Sequence, residues 1–369
     1  MRIPERFKVG IARAQPSDTD DLLAWWRETY GSGYVDPGRR AWLYELNPCI
    51  GPDGPGPWLC RRDGKIVGQQ DEIPFDLKVG DEIRPSVWAI DLSVDPAWRL
   101  RGVGPALMAT VLEPNPIVCI LDLTEQGMAA FRGAGCVEIG RMATYRRALD
   151  ARRAVRMGGV PPALRRLAPL LVPAVRAADA LAAGAIRLSG AKLVLIDRFD
   201  ERADQVWEAA SQFYPVMARR DLPALTWRID QRPDGERLQR YYLIRRGRAV
   251  GWVVLRPVVR SGDAGVVVVD YLAPPRWVAP LLLAAGAAAR TDGAVSLSVR
   301  TRNGRADRWL RMAGFTRRGL AHDLDCWMMV HCTAGTDVAV LVEDPAAWFV
   351  TAADSNLERV GTPLAEPVD

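Results

Sequence analysis

Shifted along itself by 179 residues, the chain meets itself at telling positions: Asp91 falls on Asp270, Pro96 on Pro275, Trp98 on Trp277 and Gly135 on Gly314. Each aspartate closes an apolar run, Val87–Ile90 in one copy and Val266–Val269 in the other, and each glycine ends an amphipathic stretch. Upstream, Asp63-Gly64-Lys65-Ile66-Val67-Gly68 parallels Gly247-Arg248-Ala249-Val250-Gly251, and both read as hairpin turns entering strands. The second copy is shorter there, so the shift is not constant. A repeat on this scale restricts the fold to two related α/β units. The expected boundaries are an N-terminal unit at 7–148, a basic helical connector at 149–193 and a C-terminal unit at 194–334. From 335 to 369 a strand (Val338–Val342), an ordered Trp348-Phe349 segment and a Pro-containing tail are expected.

Length agrees, since 369 residues exceed what one ordinary core organises. The 49% hydrophobic and 25% charged content is that of a soluble globular protein. Residues near the start lack the order of a signal peptide, and no apolar run nears the roughly 20 residues that span a bilayer, so a cytoplasmic location is expected. The six cysteines hold no C-x-x-C pair and read as free thiols, and His322 and His331 are the only histidines. Neither a His/Cys metal site nor a Ser-His-Asp triad is expected. The net charge of +5 is local: residues 151–192 carry eight Arg and Lys against Asp179 alone. Linker helices with a solvated basic face are the plain account. A peripheral membrane helix on anionic lipid and a strip for tRNA are the alternatives.

One stretch carries most of the functional signal. Trp98-Arg99-Leu100-Arg101-Gly102-Val103-Gly104 follows an apolar strand and precedes a helix led by Pro105. Strand, glycine turn and helix start expose free backbone N–H groups, and Arg99 and Arg101 add positive charge, which together suit a pyrophosphate. The spacing is Arg99-x-x-Gly102-x-Gly104. A Walker loop is absent, and Leu107 stands where a dinucleotide fingerprint needs its third glycine.

On these residues the chain resembles the GNAT acyltransferase superfamily, whose acyl-CoA motif reads Gln/Arg-x-x-Gly-x-Gly/Ala between a strand and a helix. The family's next signature, a helix ending in Gly-Phe, is matched loosely by Ala129–Cys136 and closely by Arg308–Phe315. The resemblance covers both units but not the connector or tail. It implies an α/β fold of two tandem GNAT-like domains, each a mixed, mostly antiparallel sheet flanked by helices. It also implies that Arg99, Leu100, Arg101, Gly102, Val103 and Gly104, with Pro105 behind them, cradle the CoA pyrophosphate, and that pantetheine runs along Leu92, Ser93 and Val94. The implied activity moves an acyl group, acetyl first, from acetyl-CoA or another acyl-CoA to a small-molecule amine near the interface of the two domains. At the constant shift Val278, Leu281 and Leu283 replace Arg99, Gly102 and Gly104, so the second unit is expected to bind no CoA.

Aminolysis of a thioester needs a base and an acid. Asp71, Glu72 and Asp91 lie in or beside the central strands. A carboxylate in an apolar strand is costly without a partner, which marks out Asp91, but Asp270 repeats it in the copy without the motif. Glu72 has no such twin and is favoured. The family's usual acid, a Tyr, is replaced by Phe131, leaving Tyr145, Cys119 or water. Trp25, Trp26 and Trp42 read as core, with Trp26–Tyr44 as a wall of an acceptor pocket in second place. Two further functions stay open: an aminoacyl transferase using charged tRNA, and a catalytically inactive CoA-binding protein.

Overall fold

The computed structural model describes residues 10–31, 37–51, 56–150, 189–260, 263–304, 306–317 and 326–355, with positions 173, 180 and 184 between. Most of the connector, with its membrane and tRNA readings, lies outside the described residues, as do His322 and the Pro-containing tail. No helix among the described residues is long and apolar enough to cross a membrane.

Strands form where apolar residues alternate or run continuously, and they are β1 Gly10–Arg13, β2 Trp58–Arg62, β3 Lys65–Val79, β4 Glu82–Val94, β5 Ile117–Leu121, β6 Val137–Arg141, β7 Ala143–Ala148 and β8 Ala191–Ile196. The second half adds β9 Val216–Ala218, β10 Gln239–Arg245, β11 Arg248–Arg260, β12 Asp263–Leu272, β13 Ser296–Asn303, β14 Thr316–Arg317, β15 Trp327–Cys332 and β16 Trp348–Thr351. The helices used below are α1 Thr19–Tyr30, α2 Pro37–Tyr44, α3 Val103–Leu112, α4 Glu125–Gly133, α5 Arg202–Ser211, α6 Pro275–Thr291, α7 Ala306–Met312 and α8 Thr336–Val342. Both expected hairpins are present. Asp63-Gly64 turns β2 into β3 with φ of 49° and 79°, and Arg246-Gly247 turns β10 into β11 with 48° and 77°, the left-handed pair that two-residue hairpins require.

The sixteen strands among the described residues join one sheet in the order β6-β15-β5-β4-β3-β9-β16-β13-β12-β11-β10-β8, with β2 and β1 flanking β3 and with β7 and β14 flanking β13. The two halves have exchanged a strand. β15, late in the chain, lies antiparallel between β5 and β6. β7, from the first half, lies antiparallel between β13 and β14. Each unit thus has seven strands, six of its own and one from the other half, and β9 and β16 bridge them.

The sheet of the first unit is covered on both faces. Trp42, Leu43 and Tyr44 of α2 pack with Ile73, Phe75, Leu77, Trp88 and Ile90. On the other face α3 and α4 place Met108, Val111, Met128 and Phe131 against Val87, Ala89, Val118 and Ile120. Trp26 is buried as expected, its Nε1 donating to Gln69 Oε1 at 2.8 Å. Gly68 has a packing reason: a Cβ there would meet Leu107 Cδ1 at 2.9 Å and Val103 Cγ1 at 3.1 Å, so α3 can sit down on β3. Gly251 plays the same part, with Ala273 Cβ at 2.8 Å and Leu281 Cδ2 at 3.5 Å.

One expected element is corrected. Val338–Val342 belongs to α8, not to a strand. Its β-branched residues favour strands weakly, but Val338, Leu341 and Val342 fall at helical spacing and pack against the seam cluster around Trp348, and tertiary burial overrides propensity. Trp348-Phe349, expected to be ordered, begins β16.

Because each unit lacks a strand of its own, residues 1–188 expressed alone are expected to yield insoluble or molten protein. Co-expression with residues 189–369 is expected to restore a soluble one-to-one complex by size-exclusion chromatography. A first half that unfolds cooperatively by itself would contradict this.

Candidate active site

β4 and β5 run parallel but part early. Their pairing ends at Ala89–Ile120, while β4 continues to Val94. The parting coincides with an irregularity: the β3–β4 register shifts between Gln69 and Asp71, and Asp91 adopts φ of 55°. A non-glycine residue held there stores about 1–3 kcal/mol of strain. Three contacts hold it. Arg39 Nη2 pairs with Asp91 Oδ2 at 3.0 Å, with the two side chains 1% and 5% exposed. The Tyr30 hydroxyl donates to the Asp91 carbonyl at 3.0 Å. Gln70 Nε2 donates to the Ile90 carbonyl at 2.8 Å. Leu92, Ser93 and Val94 form the stretch of β4 beyond the parting.

Next to this kink lies Asp71. Its carboxylate accepts from the Tyr44 hydroxyl and from the Glu72 backbone N–H. Burial pushes the Asp71 carboxyl up to about 7; the Asp91 carboxylate adds to the rise, and Tyr44 and Arg39 oppose it. A buried carboxylate that titrates near neutrality, as Asp71 does, meets the condition a general base needs. Tyr44 also lines a polar cavity of about 380 Å³ with Arg13, Glu72, Asp76, Ser86 and Asn115. That cavity shares Pro48, Cys49, Phe75 and Asp76 with a second, of about 250 Å³, whose far wall is Arg220, Trp227 and Arg228 from the second half.

Glu72 lies apart from the pair. It lines the same polar cavity as Tyr44, is held by Arg13 Nη2 at 2.5 Å, and receives Asn115 Nδ2 at 3.4 Å. The alternative proton donors are elsewhere too. Phe131 is buried under the sheet. Tyr145 rides on the exchanged β7 and bonds Asp307 at 3.2 Å in the second unit, its hydroxyl pushed up to about 12 by burial. Cys119 is fully buried, which holds its thiol well above the ordinary value. Residues 32–36, within the segment weighed as an acceptor wall, lie outside the described residues. Tyr30, Arg39 and Tyr44, which the sequence reading did not single out, complete the cluster. A signal existed: Arg220 contacts Asp270 as Arg39 contacts Asp91, at nearly the same separation along the chain.

The candidate cradle follows β4. Asp95 caps the turn Pro96–Trp98 through Ala97 N at 2.7 Å. Arg99 Nε folds back onto the Val94 carbonyl at 3.2 Å. Leu100 (φ 60°) is fully exposed, and Gly102 (φ 86°) is the N-cap of α3 without a capping side chain, so the first-turn N–H groups of Val103 and Gly104 can take an external acceptor. A Cβ on Gly104 would meet only Val94 Cγ2, at 3.8 Å. Arg62 and Arg101 both lie over the Trp98 ring, at 5.9 and 5.2 Å, which places two cations beside the loop. The arrangement fits a pyrophosphate. Among the described residues no cluster suits a metal ion.

The second unit differs more than a constant shift suggests. Trp98 and Trp277 close equivalent turns, donating to Asp95 O and Pro274 O at 2.8 Å each. Beyond them the copies slip: Leu107 and Leu281 both pack on the paired glycines 68 and 251, nine and four positions after their tryptophans. The loop carrying Arg99 and Gly102 is therefore extra chain in the first unit, and Val278, Leu281 and Leu283 are simply turns of α6. The second parting of strands is also filled. β12 and β13 separate after Val268–Val299, and β16 pairs with β13 there while Ala353 N donates to Val269 O at 2.9 Å. Arg220, Thr351 and Asp354 then enclose Asp270, which has no positive φ.

The sequence profile described as acetyltransferase (GNAT) family matches residues 19–113. No curated protein sequence matches the chain. Among solved structures, a GCN5-related N-acetyltransferase from Anabaena variabilis aligns with a TM-score of 0.62 at 12% identity, over 90% of this chain and 74% of its own. N-myristoyltransferase from Saccharomyces cerevisiae with bound myristoyl-CoA gives 0.54 at 12%, over 87% and 78%. A GCN5-related N-acetyltransferase from Kribbella flavida gives 0.54 at 16%, over 88% and 70%. At these identities the likeness is one of fold.

The raised Asp71 carboxyl has a stability signature. The unfolded chain releases this proton near 3.8 and the native state near 7, so its contribution is present at low pH and lost as pH rises through that window. Urea unfolding of Asp71→Asn against wild type is expected to show the variant gaining about 1.4 kcal/mol per pH unit from about pH 4 to 7, then a plateau. A pH-independent difference would place the Asp71 titration at its ordinary value.

Proposed function

We propose that the chain, whose residues 19–113 match the GNAT acetyltransferase family model, transfers an acyl group from acyl-CoA, acetyl-CoA first, to a small-molecule amine. The observation that carries this reading is the juxtaposition of an uncapped, glycine-lined helix start with a kinked β4 whose Asp91 is paired to a neutral-range Asp71. Acyl-CoA supplies the thioester carbonyl, and the amine displaces the CoA thiolate. Backbone N–H groups of the loop 99–104 hold the pyrophosphate. Leu92, Ser93 and Val94 offer strand edge to pantetheine where β5 has turned away. Asp71 takes the place first given to Glu72 as base, with the Tyr44 hydroxyl carrying the proton between the polar cavity and the buried carboxylate. Burial, helped by Asp91, keeps the Asp71 pKa near neutrality, and Arg39 holds Asp91 in place. The acceptor enters through the cavity lined by Tyr44, whose walls continue to the seam between the two halves.

Calorimetry with acetyl-CoA and longer acyl-CoAs tests the first step, and binding is expected in the micromolar range typical of such substrates. Gly104→Leu is expected to abolish it at unchanged Tm, because a Cβ there meets only Val94 Cγ2, at 3.8 Å, and the longer side chain fills the phosphate space. Asp71→Asn is expected to lower kcat/KM for amine acylation by about 10²- to 10⁴-fold. The wild-type profile is expected to rise through about pH 7, where the base loses its proton. Acyl-CoA binding that survives Gly104→Leu would move the site elsewhere.

A further inference from the structure

Trp42 of α2 and Trp227 of the second half make a self-complementary contact. Each indole Nε1 donates to the other's backbone carbonyl at 2.8 Å. The rings stack with centroids 5.6 Å apart and planes at 22°. The same bond given in both directions is the mark of a local twofold relation, here within one chain. Arg228 lies over both rings, at 5.1 and 5.8 Å.

The contact matters because of what else α2 carries. It has eight residues, too few to stay helical by themselves, so its side chains fix its place. Arg39 reaches Asp91, Tyr44 reaches Asp71, and Trp42, between them in sequence, is lodged against the second half. We infer that Trp227 is a positioning residue: the unit without a cradle fixes, through Trp42 and α2, the guanidinium and hydroxyl that hold the Asp71–Asp91 pair of the unit that has one. The inference rests on the proposed function only in treating Asp71 as the base.

The groups facing Asp71 are Tyr30 from α1, Arg39 and Tyr44 from α2, and Asp91 from β4. Glu72 gives its backbone N–H to Asp71 and pairs its carboxylate with Arg13. Burial is the largest cause of the raised carboxyl and Asp91 adds to it, while Tyr44, Arg39 and the Glu72 backbone N–H favour the ionised form. A shift of α2 too small to admit water weakens Tyr44 and Arg39 and leaves burial, Asp91 and the Glu72 N–H in place, and the Asp71 titration moves up.

The test needs no identified acceptor. Asp71 is titrated by NMR of the side-chain carboxyl carbons in 13C-aspartate-labelled full-length protein, assigned with Asp71→Asn. Trp227→Leu is expected to raise the midpoint by about half a unit or more. Trp227→Phe keeps a ring but loses the indole N–H and part of the stacked area, and is expected to fall between, about 0.3 unit up. Acetyl-CoA affinity is expected to stay at the wild-type value in both variants. An unchanged midpoint in Trp227→Leu, or in Trp227→Phe should the leucine variant not fold, overturns the inference. So does loss of acetyl-CoA binding in a folded variant, which would mark a general disturbance. Failure of the wild type to bind acetyl-CoA refutes the proposed function instead and leaves the titration arm standing.

Discussion

The exchange of β7 and β15 is the constraint on which the rest depends. β5 leads into α4 and not into a hairpin, so β6 returns one place away from it, and the slot between them is filled by a strand arriving from elsewhere. In this chain it arrives from the other half. The halves thereby share one sheet, and the seam becomes as much a core as either interior: Trp348, Val216 and Trp227 pack in the same cluster as Trp42, Phe75 and Trp88. A ligand site on the first unit's sheet is accordingly built on a frame that the second unit completes.

Within that frame the copies have diverged by addition and by occupation. The first carries extra chain between the Trp98 turn and α3, and that chain is the candidate cradle. The second leads from β12 into α6 through Ala273 and Pro274 alone, and fills its strand gap with its own C-terminal backbone. Where the second copy satisfies its aspartate with Arg220 and Thr351 and keeps an ordinary backbone, the first keeps Asp91 at φ of 55° with Arg39 on its carboxylate. Strain and a near-neutral neighbour stand together only where the gap is open.

Much of this plan was legible in the sequence. The hairpins at Asp63-Gly64 and Arg246-Gly247, the paired aspartates and the loop at 99–104 follow from local chemistry and from the repeat, both of which act over short spans. The strand exchange was not legible, because β7 and β15 look alike as short apolar strands and only long-range pairing distinguishes their slots. That Asp71, and not Glu72, bonds the Tyr44 hydroxyl was not legible for a similar reason. Neighbours in a strand face opposite ways, and which face meets Tyr44 depends on where α2 docks. Val338–Val342 misled because valine-rich pentads fit a strand and a buried helix equally well.

The exchanged strands also set the order in which the molecule can form. During synthesis β5 and β6 emerge well before the strand that belongs between them, since 186 residues separate Arg141 from Trp327. At about 5–20 residues per second the gap stays open for roughly ten to forty seconds. Throughout that interval the nascent first half presents two unpaired strand edges and the apolar faces beneath them. Temporary protection of that slot, by a chaperone or by a transient pairing with β7, which follows β6 directly, is then part of what the cell must supply for the protein to reach its native state.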